Sequence, residues 1–243
     1  MRILVTGLPG SGKTTFATKL AERIRGAKVF DADEVRKEYN DWDFTAEGRL
    51  RQAYRMRKLA AEHPGISIAS FVAPNHTHRA AFNPHITIFM DTIKEGRFED
   101  TNKLYDPPTN PDFHIKAFDE LFQASWVHLA MSELPTGIMI GRYQPFHDGH
   151  KALAERILHE HPMLTVMVRK MPKSDKNPFS SYDVERRIYK SLEEYGDRVR
   201  VQHVPNVAGV YYGRDVGYKI QHIELPPEIQ AISATKIREE MNK

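Results

Sequence analysis

Cysteine is absent from the 243 residues of this chain. Its absence excludes disulfide bridges, thiolate metal sites and cysteine nucleophiles. Long apolar runs are also missing, since the longest, such as Ile86–Met90 and Leu164–Val168, have only the length of a β-strand. A membrane-spanning helix needs about 20 apolar residues, and a secretory signal needs about 7–15 before a cleavage site. We therefore expect a cytoplasmic protein without a membrane segment.

A strong excess of one charge sign is missing too. The formal net charge is +3, from 35 basic and 32 acidic side chains. Residues 1–135 are balanced, so the excess belongs to residues 136–243. Nucleic-acid binding usually requires a concentrated basic surface. The charge balance therefore favours small-molecule partners over nucleic acid, and the sequence is compatible with a homo-oligomer.

What the chain does contain is enough apolar material for a core, at 40% hydrophobic residues, and two separate α/β beginnings. Arg2–Thr6 reads as a strand before a glycine-rich turn and a helix over Lys13–Arg25. Gly137–Ile140 reads as a second strand before a turn and a helix over Gly149–Glu160. An open α/β sheet binds its ligand at the carboxyl ends of its own strands. Two such beginnings predict two domains, residues 1–135 and 136–243.

Other elements follow from apolar patterning. In the first domain we predict strands at Lys28–Phe30, Ile66–Ser70 and Ile86–Met90, helices over Thr45–Glu62 and Phe118–Met131, and a loop at Asp106–Asp112. In the second domain we predict strands at Leu164–Val168, Val199–His203, Gly209–Tyr212 and Lys219–Ile223, and helices over Tyr182–Tyr195 and Ser233–Asn242.

The first turn carries a phosphate-binding motif. Gly7–Thr14 fits G-x-x-x-x-G-K-[ST] without departure. Glycines let backbone N–H groups curl around the β- and γ-phosphates of ATP, and the following helix adds its N-terminal partial charge. Lys13 is the predicted catalytic cation and Thr14 a predicted Mg²⁺ ligand. The predicted nucleotide-binding residues here are Gly7, Gly10, Ser11, Gly12, Lys13, Thr14 and Thr15.

Carboxylates follow the second predicted strand in the segment Asp31–Arg36. Such a side chain can bind Mg²⁺ through water or take the proton of an acceptor hydroxyl. Aspartate also favours the N-cap of a helix. We predict Asp33 as the catalytic carboxylate and, with Thr14, as part of the Mg²⁺ site, and we keep Asp31 as a second candidate.

The block from Val5 to about Ala117 resembles the adenylylsulfate kinase family of P-loop kinases. The matching segments are GLPGSGKTT at 7–15, DADEVR at 31–36, DFTAEGR at 43–49, FVAPNHTHR at 71–79, MDT at 90–92 and YDPPTNP at 105–111. The resemblance implies a P-loop kinase fold, ATP as phosphoryl donor, Asp33 as base or metal-water ligand, and an acceptor site. The implied acceptor-binding residues are Arg36, Arg49, Phe71 and Arg79.

Two features depart from that family. Its lysine-containing lid of about twenty residues is replaced by the much shorter segment Thr92–Leu104, and Tyr54 stands where the family has an arginine. The kinase machinery is thus better supported than adenylylsulfate as acceptor.

The second turn contains H-x-G-H at His147–His150, between a strand and a helix. Two imidazoles at a helix N-terminus can stabilise charge that develops on phosphate oxygens. No enzyme nucleophile is needed if the substrate's own phosphate attacks the nucleotide. The motif I-S-x-T-x-I-R at Ile232–Arg238 supplies hydroxyls and a planar cation. His147, His150 and Arg238 are the predicted catalytic residues, and the predicted nucleotide-binding residues are Gly141, Arg142, Tyr143, His147, Gly149, His150, Gly213, Ser233, Thr235 and Arg238.

These two motifs together resemble the nucleotidylyltransferase superfamily over residues 137–243. Within it, GRYQPFHDGH at 141–150 and NPFSSYDVER at 177–186 are similar to the small nicotinamide mononucleotide adenylyltransferases. The ending AISATKIREEM at 231–241 is equally similar to cytidylyltransferases of the glycerol-phosphate type. The resemblance implies a smaller Rossmann-like domain that uses ATP or CTP and releases pyrophosphate.

The sequence therefore predicts an α/β protein in which a P-loop kinase domain precedes a Rossmann-like nucleotidylyltransferase domain, with Mg²⁺ as cofactor. Three other readings stay open: cytidylyl transfer by the second domain, nucleotide sensing by one inactive domain, and phosphorylation of polynucleotide ends.

Overall fold

The computed structural model describes residues 1–117, 120–211, 213–214, 217 and 219–241. By its internal contacts the chain divides into two compact units. The first holds Met1–Leu134 together with Glu194–Arg198, and the second holds Pro135–Glu193 and Val199–Lys243. No helix in the described ranges is long and apolar enough to cross a membrane.

The first unit is built on five parallel strands in the order β2-β3-β1-β4-β5. Its strands are β1 Arg2–Gly7, β2 Ala27–Asp31, β3 Ile66–Ser70, β4 Ile86–Met90 and β5 Phe113–Ile115. Its helices are α1 Lys13–Ala21, α2 Ala32–Glu38, α3 Ala46–Glu62, α4 His76–Phe82, α5 Glu99–Leu104 and α6 Glu120–Glu133. Because β1 is central, the loop after it lies where the strand order reverses, the position at which open α/β sheets bind ligands.

Helices cover both faces of this sheet. On one face, Leu4 and Ala69 pack with Met56 of α3 and Phe82 of α4 in one buried cluster. Helix α1 packs on β1, β2 and β3 through its buried face, which contains Phe16 and is not part of that cluster. The first phosphate motif follows the carboxyl end of β1 and leads into α1.

The second unit contains three parallel strands in the order β6-β7-β8. The strands are β6 Thr136–Gly141, β7 Met163–Arg169 and β8 Val199–Val204. The helices are α7 Asp148–Glu160, α8 Ser181–Ser191, α9 Pro227–Gln230 and α10 Ala234–Met241. Helix α7 packs on β6 and β7, and α8 packs on β7 and β8. The predicted fold class, α/β with a parallel sheet in each part and a smaller second part, is confirmed.

Several predicted elements are wrong in type or extent. Residues 209–211 and 219–223 form no strand, and Tyr212 lies outside the described residues. Valine and tyrosine favour strands only where a neighbouring strand completes the ladder, and no described strand pairs with this stretch. The helix expected over 182–195 ends at Ser191, and a 3₁₀ turn with a left-handed Gly196 at φ 54° follows.

The remaining boundary differences are small. The helix predicted over 13–25 ends at Ala21, and the one predicted over 118–131 is α6, with residues 118 and 119 outside the described ranges. Asn242, at the end of the last predicted helix, is also outside them. Thr45 is the N-cap of α3 and accepts a hydrogen bond from the Gly48 N–H, which places it just before the helix.

Candidate functional site

The first phosphate loop is shaped by glycines in backbone conformations that other residues avoid. Gly7, Gly10 and Gly12 have φ angles of 153°, 94° and 83°. A Cβ on Gly7 would stand 2.5 Å from the Met90 carbonyl oxygen, so no larger residue fits. Gly12 is the N-cap of α1, and Phe16 N donates to its carbonyl. The loop therefore leads directly into a helix N-terminus, where anions are favoured.

Lys13 lies inside this loop. Its side chain is buried, and Nζ donates to the Leu8 carbonyl at 2.8 Å. Burial lowers the pKa of Lys13 to about 8, although nearby Asp33 and Asp31 act to raise it. The hydroxyl of Ser11 in the same loop is buried without a partner among the described residues. Both groups are hydrogen-bond donors in the loop, and each can donate to a phosphate oxygen.

Oxygen atoms of Thr14, Asp31 and Ser70 lie together after the first phosphate loop. Thr14 Oγ1 donates to Asp31 Oδ2 at 2.7 Å and lies 3.2 Å from Ser70 Oγ. Hard oxygen donors of this kind suit Mg²⁺. Asp31 also accepts from Asp33 N at 2.9 Å and so begins α2, which leaves the exposed Asp33 carboxylate on the first turn. The residues fit a magnesium ion, and Asp31 is the carboxylate in direct contact with Thr14.

Two of the four predicted acceptor residues meet at an aromatic ring. The guanidinium carbons of Arg36 and Arg49 lie 4.6 Å and 5.6 Å from the ring centre of Phe44. Arg36 is buried and donates to the carbonyls of Asp41 and Asp43, and Arg49 donates to the Phe44 carbonyl at 2.8 Å. Phe44 is half-exposed. Its position between the two arginines was not predicted, although Phe44 belongs to the matching segment 43–49.

The other two predicted acceptor residues are held differently. Phe71 is buried in the cluster under α3 and α4 and contacts the Phe82 ring edge-on at 5.4 Å. Arg79 is buried and donates to the carbonyls of Ala73 and Asp106. Phe71 therefore packs in the core, and Arg79 connects two backbone carbonyls, one from Ala73 and one from Asp106.

In the second unit, the two histidines of H-x-G-H are oriented by the start of α7. His147 is the N-cap, and its Nδ1 accepts from Gly149 N at 3.1 Å, while His150 Nδ1 accepts from His147 N at 3.3 Å. Since both Nδ1 atoms accept, both neutral rings carry their proton on Nε2. The rings stack with centres 3.8 Å apart. The Nε2–H donors of both rings are therefore not used by the hydrogen bonds that begin α7.

Burial keeps these imidazoles neutral at physiological pH. It lowers the pKa of His150 to about 4, with His147 adding to the shift, and it also lowers the pKa of His147. Neighbouring Tyr143 is buried, contacts His150 edge-on at 5.0 Å, and leaves its hydroxyl without a partner among the described residues. Burial raises the pKa of that hydroxyl, so Tyr143 is also a neutral donor.

The second predicted motif of this unit joins the first through Arg238. Its guanidinium donates to the Gln144 carbonyl in the H-x-G-H loop and to Thr235 Oγ1 at 3.0 Å. Thr235 N donates to Ser233 Oγ at 3.3 Å at the start of α10. Two segments almost a hundred residues apart in sequence therefore form one constellation.

Three predicted residues have less structural support. Arg142 and Thr15 are exposed. Gly213 lies in the irregular stretch between β8 and α9, and no described atom comes within 4 Å of where its Cβ would stand. Within the described ranges, no group of three or more His, Asp or Glu side chains forms a metal cluster.

Comparison with protein families gives one match in each half of the chain. Residues 1–95 match the family described as adenylylsulphate kinase, and residues 138–204 match the family described as cytidylyltransferase-like. Both resemblances expected from the motifs are confirmed.

Individual relatives agree with the families. The probable adenylyl-sulfate kinase of Aeropyrum pernix is 41% identical over 80 residues, which cover 30% of this chain and 44% of that protein. The nicotinamide-nucleotide adenylyltransferase of Picrophilus torridus is 37% identical over 60 residues, covering 24% of this chain and 36% of that one. Among solved structures, the APS kinase of Mycobacterium tuberculosis, as a Cys556Ala mutant, aligns over 54% of this chain and 96% of its own, with 25% identity and a TM-score of 0.44.

Both named relatives are thus matched over less than half their length. Within one polypeptide, this chain joins an adenylylsulphate kinase-like segment to a cytidylyltransferase-like segment.

Proposed function

We propose that the chain is a bifunctional enzyme, with a small-molecule kinase in residues 1–135 and a nucleotidylyltransferase in residues 136–243. The observation that carries the proposal is the presence of two separate phosphate-binding constellations. Each lies where a strand of its own parallel sheet leads into a helix N-terminus, at Gly12 and at His147.

In the kinase reaction, the bond between the γ-phosphorus and the β–γ bridging oxygen of ATP breaks, and a bond to an acceptor oxygen forms. The loop amides and Lys13 bind the β- and γ-phosphates, and Asp33 takes the acceptor proton. Thr14 and Asp31 would hold Mg²⁺, which supplies neutralisation of phosphate charge when bound. Catalysis is then mainly alignment and charge stabilisation.

The acceptor we favour is an anion that carries a flat ring. Arg36 and Arg49 around the half-exposed Phe44 offer positive charge beside an aromatic face. Adenylylsulfate has this chemistry, and the family name supports it. Other small phosphate or sulfate acceptors remain candidates.

In the second reaction, a phosphate oxygen of the acceptor attacks the α-phosphorus of a nucleoside triphosphate, and pyrophosphate leaves. In this proposal the Nε2–H groups of His147 and His150 donate to the oxygens that gain charge, and Arg238 supplies a cation for the triphosphate. The relatives support two nucleotides, because one family is cytidylyltransferase-like while the Picrophilus relative is an adenylyltransferase. We retain ATP and CTP as alternatives.

The test is a metabolite screen read by mass spectrometry. ATP or CTP with Mg²⁺ is combined separately with adenylylsulfate, nicotinamide mononucleotide, glycerol phosphate and sugar phosphates. We expect one phosphorylated product with ADP, and one nucleotidyl product with pyrophosphate. The identity of the consumed nucleotide decides between adenylyl and cytidylyl transfer.

Two variants assign each product to its site. Lys13→Ala should abolish only the phosphorylated product, with Lys19→Ala on the same helix as the control. His147→Asn should abolish only the nucleotidyl product, because asparagine can still cap α7 but lacks the Nε2–H donor. His159→Asn, near the other end of α7, is its control.

The same screen, with a 5′-hydroxyl oligonucleotide added as a further acceptor, tests the remaining alternatives. ATP binding without acceptor-dependent turnover would favour nucleotide sensing by an inactive domain. Phosphorylation of an oligonucleotide end in place of the small acceptors would favour a polynucleotide kinase. Loss of both products in either single variant would contradict two independent sites.

A further inference from the structure

The short segment after β4 lies directly against the first phosphate loop. Thr92 Oγ1 donates to the Ser11 carbonyl at 2.7 Å. Further along, a Cβ on Gly96 would stand 2.9 Å from Pro9 Cδ and 3.1 Å from the Pro9 carbonyl oxygen. The segment Thr92–Leu104 therefore touches the loop at two places, although it is too short to form the long lid of the resembling family.

Its conformation is fixed by a reciprocal amide pair. Gly96 N donates to Asn102 Oδ1 at 2.9 Å, and Asn102 Nδ2 donates to the Gly96 carbonyl at 3.1 Å. Asn102 belongs to α5, which is anchored by the buried Thr101 beside Arg49. The residue that follows Gly96 is consequently held next to the loop.

That residue is Arg97, and its side chain passes over Gly10. Its Nε lies 3.6 Å, and its Cγ 3.9 Å, from the position that a Cβ on Gly10 would occupy. Arg97 is exposed and makes no hydrogen bond or ion pair to any other described residue. Arg36, Arg49 and Arg79 differ, because each donates to backbone carbonyls. A guanidinium without an internal partner thus stands at the phosphate loop.

We propose that Arg97 is a further catalytic residue of the kinase half, which donates hydrogen bonds to the γ-phosphoryl group as it transfers. This inference rests on the proposed kinase function. The loop amides and Lys13 bind the β- and γ-phosphates, so a cation over Gly10 faces the transferring group. The transition state spreads charge over the equatorial γ-oxygens, and a planar guanidinium can bind two of them at once. In this step the γ-phosphorus exchanges its bridging oxygen for the acceptor oxygen, and the acceptor proton goes to Asp33.

The first experiment compares Arg97→Ala and Arg97→Lys with Lys103→Ala, a control in the same segment whose side chain is exposed and paired with Glu99. Acceptor-dependent ADP formation is measured as a function of ATP concentration, at saturating Mg²⁺ and acceptor. We expect Arg97→Ala to lower kcat by about 100-fold or more while KM for ATP changes by less than about threefold. Arg97→Lys should recover part of the loss, and Lys103→Ala should match the wild type.

The second experiment needs no knowledge of the acceptor. Calorimetry measures the binding of ADP with Mg²⁺, alone and with aluminium fluoride, which mimics the transferring phosphoryl group. Arg97→Ala should bind ADP like the wild type and lose about tenfold or more of its affinity for the aluminium fluoride complex.

The outcomes separate the two proposals. A wild-type protein that neither binds ADP nor turns over would overturn the kinase function, and the role of Arg97 with it. An active wild type whose Arg97→Ala variant keeps kcat and aluminium fluoride affinity would overturn only the role of Arg97. If Arg97→Ala loses affinity for ADP alone as much as for the aluminium fluoride complex, the proposed role of Arg97 is also overturned. Arg97 would then bind the ground-state nucleotide and not the transferring group.

Discussion

The two regions that we propose to bind phosphate are built by opposite means. In the first, backbone geometry dominates: three glycines with positive φ build the loop, and Lys13 lies buried inside it with a pKa of about 8. In the second, side chains dominate: two neutral imidazoles project Nε2–H donors from a helix start, and Arg238 arrives from the far end of the chain. The loop of the first region consists of consecutive residues, and distant segments add only the groups around it, such as Asp31 beside Thr14. In the second region the central contact itself joins two distant segments, through Arg238 and the Gln144 carbonyl.

This difference predicts how each site responds to substitution, pH and charge. A backbone loop should be intolerant of added atoms and sensitive to the protonation of one lysine. A side-chain constellation should tolerate pH changes above neutrality and lose rate gradually as donors are removed. Four measurements test this contrast between the two regions.

The largest effect is expected for Gly7→Ala. The new Cβ would meet the Met90 carbonyl at 2.5 Å and Ser11 Oγ at 2.8 Å, so the loop must shift. Misplacement of phosphate-binding groups by about 1 Å costs on the order of 100-fold in activity, and we expect at least that loss of kinase turnover. Nucleotidyl transfer should be unchanged. A Gly7→Ala variant with normal ATP binding and turnover would contradict the backbone account.

Next is His150→Asn in the second site. Asparagine can still accept from His147 N, as His150 Nδ1 does at 3.3 Å, but it removes the Nε2–H donor. We expect a fall of about 100-fold in the rate of pyrophosphate release. The melting temperature should also fall, because the ring contacts with His147 and Tyr143 are lost. The helix-end variant His159→Asn serves for comparison. If His150→Asn keeps the wild-type rate, the His150 ring has a structural role only and does not act as a catalytic donor.

The third measurement is pH dependence. Lys13 must be protonated to bind phosphate, and its unliganded pKa is about 8. Affinity of the first site for ADP should therefore be full below pH 7 and fall by up to about tenfold per pH unit above 8, since binding must then supply the proton.

The second site should behave differently over the same range. His150, with a pKa of about 4, and His147, whose pKa is also lowered, are already neutral near pH 7. Nucleotidyl transfer should then stay nearly flat from pH 7 to 9. Parallel pH profiles for both activities, from titration calorimetry and product assays, would argue against this distinction.

The smallest effect is expected for Arg238→Lys. Lysine keeps the charge but cannot reach both the Gln144 carbonyl and Thr235 Oγ1 in fork geometry. We expect nucleotidyl transfer to fall by about tenfold and the free energy of unfolding to fall by about 1 kcal/mol. Arg186→Lys on the exposed face of α8 provides a control for the same exchange. Unchanged kinetics would show that charge alone suffices at this position.

Most of the first site could be predicted because its residues are consecutive. Ile66–Ser70 and Ile86–Met90 were placed at their observed bounds, since buried parallel strands have continuous apolar runs. The short helices α2 and α4 were missed. They begin at the side-chain caps Asp31 and Asn75 and last only two turns, too short for a helical period to show.

Contacts between residues that are far apart in the sequence were harder to predict. Phe71 matches an acceptor segment of the family, yet it lies in the core against Phe82. The contact of Arg97 with the loop at Gly10 has no sequence signal, because it depends on how Asn102 folds the short segment back. The expected strand at 209–212 shows that β propensity without a partner strand is insufficient.

The two α/β parts, each with a phosphate motif between a strand and a helix, can be recognised in the amino-acid sequence. Local rules are sufficient there, because glycine spacing, helix capping and apolar runs act over a few residues. The carboxylate that contacts Thr14, the tautomers of the two histidines and the positions of Arg97 and Arg238 can be read only from the folded chain. Those features depend on distances between segments far apart in the chain, and such distances are set by packing of the whole fold.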